Sequence, residues 1–137
     1  NARNSRWRWP RTAVLAGSAS TFFPALCAGC DGAILAVAGV VPELCVQVWN
    51  LVLESRVEEA RELQRLIASL ARSVGTTYGV PGLKAALDLM GYAGGDPRPP
   101  LRPAPPSVVA RLRAELEALG ISLAVAQAPA RQAPEHV

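Results

Sequence analysis

The sequence predicts an α/β chain that is mostly helical, with two short buried strands joined by a helix and followed by several longer helices. Two apolar runs, residues 13–16 and 33–38, lie about fifteen residues apart, which is the spacing of a βαβ unit with parallel strands. Over residues 57–74, apolar side chains recur every three or four positions, as in an amphipathic helix. Half of the 137 residues are apolar, which is enough for a modest core.

The first apolar run is closed by Gly17 and Ser18, which suits a buried parallel strand whose end opens into a loop. A short helix is expected next, capped by Ser20 or Thr21 and ended by Gly29. The second run follows at once. Because parallel strands need both faces covered and two strands do not make a stable sheet, this βαβ unit is expected to need a partner.

Four further helices are predicted from apolar stripes and end signals. The first begins at Pro42, and the second, residues 57–74, is expected to end at Gly75. The third begins at Pro81, and the last is capped by Ser107. The apolar stripe of the first helix consists of Leu44, Val48, Trp49, Val52 and Leu53. Opposite charges three residues apart on the second helix are Glu58 with Arg61 and Glu62 with Arg65.

Both termini are predicted to lie outside the folded part. Residues 1–11 form a flexible arm in which arginines alternate with Trp7 and Trp9, and residues 121–137 form a disordered tail. The arm is interpreted as a disordered or non-native end, with contact to phosphates and bases as the alternative. We therefore expect no nucleic-acid partner. We also expect no membrane span, because the longest apolar run ends at Pro42.

The cysteines are the only residues whose spacing suggests a metal or redox site. Cys27 and Cys30 form a C-x-x-C, but Cys45 is the only other cysteine and His136 the only histidine. A structural zinc site needs about four ligands, so the pair is interpreted as buried, reduced thiols. We expect no metal and no cofactor.

Five short motifs occur in an order that resembles the second half of the dihydrodipicolinate synthase and N-acetylneuraminate lyase family. They are VLAGSA at 14–19, GAILAVA at 32–38, VEEARELQ at 57–64, GVPGLK at 79–84, and GYAGG at 91–95 with RPPL at 98–101. Three of these, VLAGSA, GVPGLK and GYAGG, look most like 4-hydroxy-2-oxoglutarate aldolases. The resemblance implies the C-terminal portion of a (β/α)8 TIM barrel: residues 12–55 would be its last two strands and their helices, and residues 56–120 a C-terminal helical extension.

The resemblance also implies a chemistry. In such enzymes a lysine forms a Schiff base with the keto group of pyruvate or a related 2-oxo acid, and that lysine and a proton-relaying tyrosine would lie upstream of the matching region. Lys84 is the only lysine here, and it falls at a predicted helix start, so no catalytic residue is assigned within the chain. The expected substrate-binding residues are Gly17, Ser18 and Ile34. By the resemblance, Gly17 matches a glycine beside the bound substrate and Ile34 a strand residue whose backbone carbonyl faces the pocket, whereas Ser18 is a weaker candidate for a polar contact. The alternative for Gly17 and Ser18 is an ordinary turn at the end of a strand.

The predicted function is that of a partial class I aldolase or lyase, inactive alone, that acts on 2-oxo acids such as 4-hydroxy-2-oxoglutarate or dihydrodipicolinate precursors. The resemblance implies a small-molecule substrate, a homo-oligomer in the complete form, and a cytoplasmic or mitochondrial location. One departure weakens the substrate inference: the family often has Ala-Asn-Val where this chain has Ala38-Gly39-Val40. The alternative is a non-catalytic helical binding module, or a vestigial subunit, that associates with a full-length aldolase through uncovered apolar residues, Leu15, Ile34 and Val37.

Overall fold

The computed structural model describes residues 12–123. The predicted arm, residues 1–11, and residues 124–137 of the predicted tail lie outside the described residues. Within the described part, no helix combines the length and the apolar character needed to cross a bilayer. The regular elements, in chain order, are β1 (Leu15–Ala16), α1 (Phe22–Cys27), β2 (Gly32–Ala33), α2 (Pro42–Leu53), α3 (Val57–Arg72), α4 (Gly79–Leu89) and α5 (Pro106–Ala118).

The two predicted strands form a parallel pair, but each is shorter than its apolar run. Leu15 lies opposite Gly32 and Ala16 opposite Ala33, and the Ile34 amide donates to the Ala16 carbonyl at 2.9 Å. The prediction of a strand over residues 33–38 is wrong, since Ala36–Gly39 forms a 3-10 helix. β1 ends at Ala16, so the chain beyond Ile34 has no strand edge with which to pair.

The 3-10 helix moves Val37 into the core, where it is 1% exposed. The expectation that Val37 belongs to an uncovered surface is therefore wrong. Leu15 and Ile34 remain 49% and 74% exposed, as that expectation requires. The strand pair thus buries one face against the helices and leaves the other open within the described residues.

The helices α2 and α3 pack as an antiparallel pair. Pro42 occupies the first turn of α2, as predicted, but Leu53 is 67% exposed, because Leu51 occupies the buried face instead. The buried face of α3 consists of Ala60, Gln64, Ile67, Leu70 and Ala71. Both predicted ion pairs form on its solvated side, Arg61 with Glu58 and Arg65 with Glu62.

Arg56 fixes the turn from α2 into α3. Its guanidinium is 2.9 Å from the Glu54 carboxylate and binds the Glu59 carboxylate through Nη2 at 2.6 Å and Nε at 2.7 Å. The hydrogen bonds from Arg56 lower the pKa of Glu59. This bidentate contact lies in the first turn of α3, where negative charge is favoured by the helix dipole.

Gly75 does not end the long helix, contrary to the prediction. The chain continues from α3 into a π-helical turn, Ser73–Thr77, in which the Tyr78 amide donates to the Ser73 carbonyl at 3.0 Å. The start of α4 lies close to this turn. A Cβ on buried Gly82 would lie 2.5 Å from Tyr78 Cβ and 3.3 Å from the Ser73 carbonyl oxygen, so α4 packs almost directly on the backbone of the turn.

The last helix covers the core from the other side. Leu112 and Leu116 of α5 are fully buried, and the Ser73 hydroxyl donates to Glu115 at 3.0 Å. Ser107 is not the N-cap: α5 begins at Pro106, and its capping position is occupied by Pro105. Proline at the first helical position has no backbone N–H that would need a cap, which removes part of the need for a serine there.

Two hydrogen bonds join α4 to Gly94 in the segment that follows this helix. Lys84 Nζ donates to the Gly94 carbonyl at 2.6 Å, and the Gly94 amide donates to the Asp88 carboxylate at 2.8 Å. A Cβ on Gly94 would lie 2.1 Å from the Lys84 carbonyl oxygen. Only glycine fits at this contact, so the GVPGLK and GYAGG motifs meet in one structural feature.

The cysteines do not occupy one environment. Cys27 is exposed, Cys30 half-buried and Cys45 buried, and all three are free thiols. The interpretation of the C-x-x-C as buried thiols is therefore wrong for Cys27, because α1 ends there and faces outward. Burial in α2, together with the carboxylate of Glu43, raises the pKa of the Cys45 thiol from 9.0 to about 11.

We expect Gly94→Ala to destabilise the fold by at least about 2 kcal/mol, because the added methyl group collides with backbone rather than with a flexible side chain. Gly39→Ala is the matched control, since a Cβ there would meet nothing within 4 Å. Urea unfolding of the full-length protein, measured by circular dichroism, gives both values. Equal midpoints for the two variants would show that the contact between Gly94 and α4 is not tight.

We expect Cys45 to resist alkylation by iodoacetamide at pH 8 until the protein unfolds, whereas Cys27 reacts in the folded state. Because the folded-state pKa of Cys45 is raised, its contribution to stability is fully present below pH 9 and is lost as pH rises through about 11. Peptide mass spectrometry after timed labelling gives the order of reaction. Fast labelling of Cys45 under native conditions would contradict its burial.

Candidate functional site

A cleft of about 410 Å³ opens where β1 ends. One wall is the loop after β1, and the other is the end of α3 with the π-helical turn. The lining residues that carry polar groups or leave space are Gly17, Ser18, Ser20, Arg72, Gly75 and Thr76. The C-terminal end of a parallel strand is where active sites of α/β barrels lie, so this cleft is the candidate site.

Gly17 and Ser18, two of the three predicted site residues, lie together in this cleft. A Cβ on Gly17 would meet nothing within 4 Å, so neither packing nor backbone strain requires glycine there. What its missing side chain provides is free space at the end of the strand, where a ligand can approach the backbone. The substrate-binding role of Gly17 stays a prediction.

Ile34, the third predicted residue, does not line the cleft within the described residues. Continuing the register of β1 and β2 places it beside Gly17, and its side chain is 74% exposed. The prediction concerned its backbone carbonyl rather than its side chain. Ile34 thus lies next to the cleft without forming its wall.

The loop that carries Ser18 is held by two sets of hydrogen bonds. The hydroxyls of Ser18 and Ser20 are 2.8 Å apart, and the Thr21 hydroxyl donates to the Ser18 carbonyl at 3.2 Å. From α3, Gln64 Nε2 donates to the Ala19 carbonyl at 2.8 Å. Since Gln64 is only 8% exposed, this bond ties the loop to the core and fixes where Ser18 is presented.

Gln64 was not predicted as a functional residue, although the sequence contains a signal for it. It occupies an apolar position of a strongly amphipathic helix, four residues after Ala60 and three before Ile67. A buried polar side chain needs hydrogen bonds, and Gln64 finds one in the Ala19 carbonyl. Its Oε1 atom is buried without a partner among the described residues.

Arg72 and Thr76 were also not predicted. Arg72 is the last residue of α3 and is exposed at the cleft, and the Thr76 hydroxyl donates to the Arg72 carbonyl at 3.3 Å. Arg72 lines the cleft from the end of α3, and Thr76 lines it from the π-helical turn that continues the helix. The only charged side chain that lines this cleft in the described part of the chain is therefore a cation.

The remaining chemically reactive residues lie elsewhere. Lys84 does not line the cleft, and its amine binds the Gly94 carbonyl. Tyr78 packs against the hydrophobic core beside the π-helical turn, and Tyr92 is 58% exposed after α4. Among residues 12–123, no group of three or more His, Cys, Asp or Glu side chains is arranged to hold a metal ion.

This chain is similar to members of a known protein family. A profile of the "Dihydrodipicolinate synthetase family" matches residues 4–119. The 4-hydroxy-tetrahydrodipicolinate synthase of Methanopyrus kandleri is 37% identical over 108 residues, which are 79% of this chain and 36% of that protein. The chain therefore spans little more than a third of the length of this relative.

Solved structures resemble the described fold in the same way. Dihydrodipicolinate synthase from Thermotoga maritima superposes with a TM-score of 0.72 and 35% identity, covering 79% of this chain and 37% of that one. The Sulfolobus 2-keto-3-deoxygluconate aldolase, in complex with D-KDPG, gives a TM-score of 0.72 and 25% identity, covering 81% and 38%. The strand pair and its helices thus match one part of these barrel proteins.

Proposed function

The chain belongs to the dihydrodipicolinate synthetase family of lyases, and we propose that the protein containing it is a Schiff-base aldolase that acts on pyruvate-type 2-oxo acids. The observation that carries this proposal is the cleft at the end of β1, where Gly17 leaves space and Ser18 presents a hydroxyl. This chain would supply that wall of the active site. Its two strands would be the last two of the barrel.

The proposed reaction begins when a lysine amine attacks the keto carbon of the substrate and the keto oxygen leaves as water. The resulting iminium accepts the electron pair of the carbon–carbon bond that breaks, and the hydroxyl proton of the leaving aldehyde goes to a base. Lys84 is unsuited to this role because its amine is bound to the Gly94 carbonyl away from the cleft. We propose that the reactive lysine lies outside these 137 residues.

The proposed substrate is 4-hydroxy-2-oxoglutarate, with dihydrodipicolinate precursors as the second choice. The motifs VLAGSA, GVPGLK and GYAGG favour the first, whereas the name of the Methanopyrus relative favours the second. The hydroxyls of Ser18 and Ser20 suit a substrate with several oxygen atoms. We further propose that the complete protein is a homo-oligomer located in the cytoplasm or the mitochondrion, and that this chain alone is inactive.

A second candidate function is favoured by one observation. Leu15 and Ile34 are 49% and 74% exposed on the strand pair, and exposed apolar strands favour association. A non-catalytic module would use these residues to bind a full-length aldolase subunit. Such a module should be monodisperse and unfold cooperatively alone, whereas a barrel segment should aggregate or melt without a sharp transition.

Borohydride reduction in the presence of pyruvate should add one reduced pyruvate to the full-length protein, and Lys84→Met should retain that adduct. The reason is that the Lys84 amine donates a hydrogen bond to the Gly94 carbonyl and takes no part in the proposed reaction. Intact-mass spectrometry with peptide mapping locates the modified lysine. Absence of any adduct on the wild-type protein would rule out the Schiff-base mechanism, and its loss in Lys84→Met alone would move the reactive amine to this chain.

Gly17→Val should raise KM for the 2-oxo acid at least about tenfold, because branched carbon atoms would fill the space at the strand end. Its unfolding midpoint should stay close to that of the wild type, since a Cβ there meets nothing in the fold. Steady-state kinetics and urea unfolding measure the two effects. An unchanged KM would remove Gly17 from the substrate site.

A further inference from the structure

We propose that Gln64 is a positioning residue of the candidate site: its buried amide holds the loop after β1, residues 17–21, in place for a ligand and does not serve the stability of the fold. This inference rests on the proposed function, because it assigns the loop to the same substrate site. It goes beyond that function by giving a role to a side chain of α3 that does not line the cleft. Gln64 acts through the loop and does not touch the reacting atoms.

The loop after β1 has little packing to fix its position. It runs between buried Ala16 and buried Phe22, and none of its own five residues is buried. A Cβ on Gly17 would meet nothing within 4 Å, so close contact does not hold the start of the loop. Ala19 is half-buried and packs against the hydrophobic core. The position of such a loop depends strongly on its hydrogen bonds.

Gln64 supplies a hydrogen bond to this loop from a distant part of the chain. Its Nε2 donates to the Ala19 carbonyl at 2.8 Å, across 45 residues of sequence. Hydrogen bonds inside the loop instead join residues two or three positions apart, as when the Thr21 hydroxyl donates to the Ser18 carbonyl at 3.2 Å. The local bonds therefore set the shape of the loop, whereas the bond from Gln64 sets its position relative to α3.

The Ala19 carbonyl has a second partner within its own turn. The backbone N–H of Phe22 donates to the same oxygen at the end of the 3-10 turn Ala19–Thr21. Because a carbonyl oxygen has two lone pairs, loss of the Gln64 amide would leave this acceptor with a hydrogen bond. The contact from α3 thus fixes the place of a group whose hydrogen bonding is already met locally.

An amide is an unfavourable choice for the core around it. Gln64 is 8% exposed and lies between Ala60 and Ile67, both fully buried, on one face of α3. Its Oε1 atom is buried and has no hydrogen-bond partner among the described residues. A buried polar atom without a partner costs stability, and an apolar side chain of similar size avoids that cost. The benefit of the amide is therefore the position of the loop.

The position of the loop matters for ligand binding because Gly17 and Ser18 line the cleft. A displacement of about 1 Å is enough to weaken a hydrogen bond from the Ser18 hydroxyl to a ligand. The lysine that is proposed to form the Schiff base lies outside this chain and does not move with the loop. Loss of the Gln64 bond should therefore weaken binding and leave the rate of the covalent step nearly unchanged.

The test replaces Gln64 by leucine, a residue of similar size without hydrogen-bonding groups, in the full-length protein. Pyruvate is the probe, and cyanoborohydride traps the adduct, which is measured by mass spectrometry at increasing pyruvate concentrations. For Gln64→Leu we expect the half-saturating concentration to rise about 3- to 10-fold. The limiting rate should stay within about twofold of the wild type, and the urea unfolding midpoint should be no lower.

Gln47→Leu is the matched control, because Gln47 is exposed on α2 and does not line the cleft at the end of β1. This variant should keep the half-saturating concentration of the wild type. Hydrogen–deuterium exchange of a peptide that spans residues 17–22 measures the loop directly and requires no reaction. Exchange should be faster in Gln64→Leu than in the wild type or the control.

The proposal is overturned if Gln64→Leu binds pyruvate as tightly as the wild type. It is also overturned if this variant has a lower unfolding midpoint or fails to fold, because the amide would then serve stability. Unchanged exchange in the loop has the same meaning. Failure of the proposed function appears separately, as absence of an adduct on the wild-type protein, and the exchange measurement then still decides whether Gln64 holds the loop.

Discussion

The burial of one face of α3 is the constraint on which the other elements depend. Ala60, Ile67 and Leu70 are fully buried, and α2, α5 and the segment after β1 all pack around this helix. The same face carries Gln64, whose amide holds the Ala19 carbonyl at 2.8 Å. One helix therefore supplies both the apolar contacts of the core and the polar contact that positions the loop of the candidate site.

Patterns that depend on local spacing were predicted well from the sequence, and features that depend on tertiary packing were not. The α3 stripe and its ion pairs follow from side chains three or four residues apart on one helix. The end of α3 does not, since the chain continues past Gly75 in a π-helical turn that packs closely against Gly82 of α4. The length of the second strand was overestimated for a similar reason. A strand can form ladder hydrogen bonds only as far as its partner strand extends, and β1 ends at Ala16.

The residues of the candidate site show the same difference between what local sequence predicts and what only tertiary packing determines. The apolar run that Gly17 and Ser18 follow predicts only a strand that opens into a loop. Their prediction as site residues comes from the resemblance to a barrel family, in which active sites lie at the C-terminal ends of strands. Arg72 and Thr76 lie more than fifty residues further along the chain, and only the folded structure brings them into the same cleft as Ser18. The sequence offered one partial signal: Arg72, unlike Arg61 and Arg65, has no carboxylate three or four residues before it.

The register of the strand pair links the candidate site to the uncovered apolar surface. Leu15 lies opposite Gly32, and a Cβ on Gly32 would be 3.2 Å from Leu15 Cδ2, so both point to one face. Since side chains alternate along a strand, Gly17 and Ile34 share this face, whereas Ala16 faces the helices and is buried. The space left by Gly17 therefore opens on the same surface as the exposed side chains of Leu15 and Ile34. Whatever covers these apolar residues also lies next to the candidate site, so partner contact and ligand contact at this surface are not independent.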